Sequence, residues 1–138
     1  MESISRSGRK SLRGRLIGGP IGRWVAVAAW MAFIYFMSSR PSFPLPGVRW
    51  LDELIRIAGH FSEYAVLGFL SSRAIAPNGE RSARRAILVL LLSAVYALSD
   101  EWHQSFVPNR DASGFDLAVD TLGALLGSSV RFRLNRAN

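Results

Sequence analysis

Four apolar runs alternate along the chain with segments that hold nearly all of its charge. The first run is Trp24 to Ser39 (WVAVAAWMAFIYFMSS). Pro41, Pro44 and Pro46 follow it and end any helix, because proline lacks the backbone donor that a helix needs. A short amphipathic stretch, Trp50 to Phe61 (WLDELIRIAGHF), either lies at an interface or leads into a second run from about Gly59 to Ile75. Pro77, Asn78 and Gly79 spell a turn. The third run, Ala86 to Ser99 (AILVLLLSAVYALS), has no polar face, as expected of a helix surrounded by apolar material on every side. A polar connection from Asp100 to Asp116 precedes the fourth run, Leu117 to Val130. No repeat or low-complexity tract interrupts the pattern, which predicts an all-α chain.

These runs are shorter than the ~20 residues of a perpendicular membrane span, so a soluble four-helix bundle is the plainer alternative. The distribution of charge decides against it. The 138 residues, enough for one domain, carry 17 Lys and Arg against 10 Asp and Glu. With the amino terminus inside a cell, thirteen of those basic residues fall in cytoplasmic segments. They are Arg6, Arg9, Lys10, Arg13, Arg15 and Arg23 in the tail, Arg73, Arg81, Arg84 and Arg85 in the second connection, and Arg131, Arg133 and Arg136 at the end. Only Arg40, Arg49, Arg56 and Arg110 fall in the other connections. Such an alternation is what the positive-inside rule predicts, and arginines at helix ends can snorkel to the headgroups. The expected architecture is an integral membrane bundle of four transmembrane helices with both termini in the cytoplasm. Residues 1–23 form a basic cytoplasmic tail, 24–130 the membrane domain and 131–138 a second basic tail. A basic stretch before an apolar run also describes a signal peptide, but Met37-Ser38-Ser39-Arg40 makes a poor cleavage site, so an uncleaved anchor is expected. Positive charge beside apolar runs fits a membrane surface better than nucleic acid. The absence of cysteine excludes disulfides and zinc–thiolate sites.

This topology sorts the acids. Asp52, Glu53, Glu63, Asp100, Glu101, Asp111, Asp116 and Asp120 gather at the outer face with His60 and His103, and only Glu2 and Glu80 lie inside. Ionisable groups in membrane helices usually face the bundle interior or a water-filled cavity. His60, Glu63 and Tyr64, at i, i+3 and i+4, share one helix face. Asp100, His103 and Gln104 repeat that spacing if the third helix continues beyond Ser99. Asp116, Asp120, Gly123 and Gly127 form one stripe, and its GxxxG lets another helix approach closely. Plainer roles exist for some of these. Ser113 and Asp116 fit a capping box, His60 fits an interfacial histidine, and Arg110 fits a structural partner for Asp100, Glu101 or Asp116. The candidate functional residues are His60, Glu63, Asp100, Glu101, Gln104, Arg110, Asp116 and Asp120. The acids and Gln104 are expected to form one connected polar network with Arg110 as its cation, while His60 and His103 are candidates for titration near neutral pH. Gly68, Gly123 and Gly127 are expected to serve helix packing.

The segment His60-Phe61-Ser62-Glu63-Tyr64-Ala65-Val66-Leu67-Gly68 resembles the H-F-x-E-Y-x-x-L-G signature of VanZ-like membrane proteins. Asp100 to Arg110 (DEWHQSFVPNR) resembles the D-E-x-x-Q-x-F-x-P-x-R of the same family, and Asp116, Asp120, Gly123 and Gly127 match its D-x-x-x-N/D-x-x-G-x-x-x-G. Asp120 stands where asparagine is commoner, and the usual lysine before the histidine is missing. The resemblance covers roughly residues 24–130. It implies a multi-pass protein of the bacterial cytoplasmic membrane whose namesake is associated with low-level teicoplanin resistance. The leading expectation is an envelope protein that turns an outward polar site to a lipid-linked or cell-wall ligand, with the bilayer as its surroundings and no nucleic-acid partner. One alternative is a membrane enzyme, in which acids near an imidazole supply acid–base chemistry or hold a hard metal ion. With no zincin spacing and no serine elbow, neither a metal-ligand set nor a reaction type is assigned, and no cofactor is named. The other alternative is a cation or proton pathway along Glu63 and Asp120. Against it, the acids stop in the outer third, and nothing polar continues near Leu88–Leu92 or Leu125–Val130.

Overall fold

The computed structural model describes residues 18–41, 47–80, 82–110 and 113–134. Most of the basic amino-terminal tail, together with Pro44, Pro46, Arg81, Asp111 and Arg136, lies outside the described residues. Within them the chain forms four helices and no strand: α1 (Pro20–Ser38), α2 (Arg49–Ile75), α3 (Ala83–Gln104) and α4 (Gly114–Leu134). Each begins before the apolar run that predicted it, and α3 and α4 also end after theirs. Pro20 opens α1 four residues before Trp24, using a position whose missing N–H costs nothing. The amphipathic stretch from Trp50 is continuous with α2. α3 runs on past Ser99 to Gln104, which keeps Asp100, His103 and Gln104 on a helix.

Successive helices are antiparallel, so α1 runs parallel to α3 and α2 parallel to α4. α2 touches all three others, whereas α1 and α4 lie on opposite sides of the α2–α3 pair and do not meet. The most extensive interface joins α2 to α4, and glycine explains it. A Cβ at Gly123 would collide with the carbonyl oxygen of Phe61, and one at Gly127 with that of Ala65. Gly68 makes the reciprocal approach, against the backbone of Ala124. The GxxxG stripe therefore meets α2, the helix that carries His60, and Gly68 belongs to the same seam.

The interior is polar at one end and small or apolar elsewhere. Val27, Ile34, Tyr64, Leu67 and Ala97 form the core cluster. The Tyr96 hydroxyl donates to the Met31 carbonyl, and Trp30 Nε1 donates to the Glu63 carbonyl over 2.8 Å. Many large apolar side chains point outward instead, among them Phe33 and Phe36 on α1, Leu91, Val95 and Leu98 on α3, and Leu122, Leu126 and Val130 on α4. By length and composition, α1 is the one described helix apolar enough to cross a membrane. The other three are at least as long but more polar.

Candidate functional site

Helix direction puts the carboxyl ends of α1 and α3 beside the amino ends of α2 and α4, and the buried acids gather there. Asp100 and Glu101 come from α3, Asp116 and Asp120 from α4; all four are between 0 and 6% exposed. His60, from α2, is equally buried. The opposite end carries Arg73, Arg84, Arg85, Arg131 and Arg133. A groove of about 400 Å³ at that basic end, lined by Ile75, Glu80, Ser82, Arg84, Arg85 and Leu88, is remote from the acids.

The parallel register of α2 and α4 builds two rungs four residues apart. On the first, the Arg56 guanidinium pairs with Asp116 and also holds Glu53, its neighbour at i−3. On the second, His60 Nδ1 lies 3.1 Å from Asp120 Oδ1. Asp100 Oδ2 accepts hydrogen bonds from Ser38 Oγ at 2.8 Å and from Gln104 Nε2 at 3.0 Å, which ties α3 to α1. Glu101 Oε2 accepts the Ser113 backbone N–H at 2.7 Å. That contact corrects the expected capping box. The Ser113 hydroxyl does accept from the Phe115 N–H, at 3.2 Å. The acid that receives the Ser113 N–H comes from α3, which leaves Asp116 free to meet Arg56. Asp116 still sits in the first turn of α4, where a negative charge complements the helix dipole.

Among the described residues Arg110 makes no ion pair with the buried acids; its charge reaches only Glu63 at a distance. It donates to the Arg40 carbonyl at 3.2 Å and to the Met37 carbonyl at 3.3 Å. Those groups close α1, whose last turn has no basic residue of its own. Cations stabilise the carbonyl end of a helix, so Arg110 caps α1 from the α3–α4 connection. Asn109, at φ 59°, makes the left-handed turn that precedes it, a conformation asparagine tolerates better than most residues. Arg56, which the sequence places only among the outer basic residues, takes the role expected of Arg110. The expected single network is instead four hydrogen-bonded groups packed side by side. Glu63 is half-buried and electrostatically close to His60, Asp100, Asp120 and Arg110, but among the described residues its carboxylate is hydrogen-bonded to none of them. His103 stands at the rim, its Nε2 3.0 Å from Ser39 Oγ and its ring stacked on Tyr35.

The site has a surplus of acceptors. Asp100 Oδ1, Glu101 Oε1, Asp116 Oδ1 and Asp120 Oδ2 are buried with no hydrogen-bond partner among the described residues. Such orphaned groups are uncommon in folded proteins and call for an explanation. Outside the cluster the charges are ordinary. The Arg56 guanidinium holds exposed Glu53 below the usual carboxylate range, and Arg85 does the same for Glu80.

Two residues of this site went unnoticed in the sequence. Arg56 precedes His60 by four residues, as Asp116 precedes Asp120; two equal spacings signal two rungs once the helices are known to run parallel. Ser38, the last residue of α1, carries no signal beyond its place at the end of an apolar run.

No curated protein and no solved structure matches the chain. The VanZ/LLP1 family model matches it over residues 23–134, a stretch that takes in all four helices apart from the first turn of α1 and includes every residue of the buried acidic cluster. The chain belongs to the VanZ/LLP1 family.

Proposed function

We propose that this protein spans the bacterial cytoplasmic membrane four times, with both termini inside, and that its acidic end faces outward and binds a donor-rich lipid-linked or cell-wall component. The observation that carries this reading is the burial of four carboxylates and a histidine at one end of the bundle, opposite the end where the arginines cluster. At 1.5 Å per residue, α1, α3 and α4, with 19, 22 and 21 residues, are about 28–33 Å long, close to the ~30 Å of a bilayer core. α2, with 27 residues, is longer, and its first turns up to about Gly59 project beyond the span. Outward-facing large apolar side chains on each helix suit contact with lipid. Unsatisfied carboxylate oxygens inside suit a ligand that brings hydroxyl or ammonium donors.

A second reading, catalysis, is favoured by one observation. Asp120 holds His60 as an orienting carboxylate holds a general base, with Glu101 beside them. Proton or cation transport has less support, because no described acid continues the cluster toward the basic end before Glu80.

The topology is tested with reporter fusions. Fusions after Ala76 and after Asn138 should report the cytoplasm, and one near Pro46 the outside. A periplasmic signal at Asn138 would rule out four spans.

A further inference from the structure

We infer that the acidic end binds one divalent transition-metal ion through His60, Glu101 and Asp120. The inference rests on reading this cluster as the functional site, and it names the first thing that the site holds.

Three helices contribute one residue each: α2, α3 and α4. Their ligand atoms all lie within 4.8 Å of one another, and all three side chains are buried. Bond lengths of about 2.0–2.2 Å to nitrogen and oxygen put two ligands of a tetrahedral ion about 3.3–3.6 Å apart. His60 Nδ1 and Asp120 Oδ1, separated by 3.1 Å, already stand close to such an edge. Glu101 brings a carboxylate oxygen within 4.8 Å of both.

An independent observation points the same way. Glu101 Oε1 and Asp120 Oδ2 are buried without a partner among the described residues, as is Asp116 Oδ1 alongside. Glu101 is already held in place, because its other oxygen accepts the Ser113 N–H. A carboxylate with one oxygen fixed by the backbone and the other bare is arranged as a metal ligand with its outer-shell support in place. Charge leads to the same conclusion. Among the described residues Arg56 is the one arginine paired to the four buried acids, and a dication supplies the positive charge that this set lacks.

The donor set narrows the ion. One imidazole and two carboxylates, with no thiolate, disfavour copper(I), and the imidazole disfavours calcium or magnesium in an all-oxygen shell. Zinc and manganese fit. Three protein ligands leave a position open, where a hydroxyl or phosphate oxygen of a bound molecule would reach the ion.

The test uses the full chain purified in detergent, stripped with chelator and dialysed against Zn²⁺, Mn²⁺ or Mg²⁺ in turn. Bound metal is then counted by mass spectrometry and affinity measured by titration calorimetry. The expected result is one equivalent of Zn²⁺ or Mn²⁺ per chain and no retained Mg²⁺. Affinity should fall at least tenfold in Asp120→Asn and in His60→Gln, both close in shape to the native residues, and stay unchanged in Glu80→Gln at the basic end. A thermal melt establishes that each variant is folded. Metal content equal in the wild type and both cluster variants, or no stoichiometric metal in the wild type, would overturn the assignment. Failure here is distinguishable from failure of the site itself. If no metal binds but Asp120→Asn still releases the molecule that copurifies with the wild type, the site stands and the ion does not.

Discussion

Replacing Arg56 by alanine should cost the folded protein about 2–3 kcal/mol, and Arg110→Ala less than about 1 kcal/mol. Removing one partner of a buried ion pair typically costs about 3–5 kcal/mol, because the other charge is left uncompensated. The figure is reduced here because the Arg56 side chain keeps 32% of its exposure while Asp116 keeps 1%. The hydrogen bonds of Arg110 go to carbonyl oxygens at the surface, and charges at a helix terminus are worth about 0.3–1 kcal/mol. Arg56→Lys should recover only part of the loss, since an ammonium cannot reproduce the planar fork that Arg56 divides between Glu53 and Asp116. Asp116→Asn, made together with Arg56→Ala, should restore stability by removing the stranded charge. Equilibrium unfolding in mixed detergent micelles measures all four variants. Equal losses at Arg56 and Arg110 would show that the cluster is neutralised some other way.

Gly127→Leu should be more damaging still. A Cβ at this position already overlaps the Ala65 carbonyl and crowds the Phe69 nitrogen. Those are backbone atoms that no rotamer change can move, so α2 and α4 must separate. Overpacking by a methylene or two costs about 1–3 kcal/mol; displacement of a whole seam should exceed that range. The Arg56–Asp116 and His60–Asp120 rungs span the same pair of helices, so the acidic end should lose its geometry too. Leu126, beside Gly127 but half exposed, faces away from the seam, and Leu126→Ile should stay within about 0.5 kcal/mol. Membrane-fraction yield and thermal unfolding report both. Equal tolerance at positions 126 and 127 would contradict the close approach.

What the sequence revealed and what it concealed follow from the range of each interaction. Apolar runs and prolines act locally, so four helices could be read directly, with ends short by a few residues wherever polar side chains extended a helix. The stripe of Asp116, Asp120, Gly123 and Gly127 could also be read, because helical spacing alone puts those residues on one face. Its partner could not. That α4 lies along α2 in parallel, with Asp116 beside Arg56 and Asp120 beside His60, is a long-range register that no local pattern encodes. The same limit misplaced Arg110. Its proximity in sequence to Asp100, Glu101 and Asp116 suggested an ion pair, but the α3–α4 connection carries it over the end of α1. The capping of α4 by Glu101 has the same character: local spacing offered Asp116, and a neighbouring helix supplied the acid.

The central claim is that the buried carboxylates at the acidic end hold a ligand and do more than keep the helices together. Its most direct test is to extract the protein with native lipids and compare, by mass spectrometry, the molecules bound to the wild type and to Asp120→Asn. The account predicts a lipid-linked or cell-wall component, rich in hydroxyl or ammonium groups, bound to the wild type and absent from a variant that still folds and inserts. The same bulk phospholipids on both, with nothing lost by the variant, would contradict it.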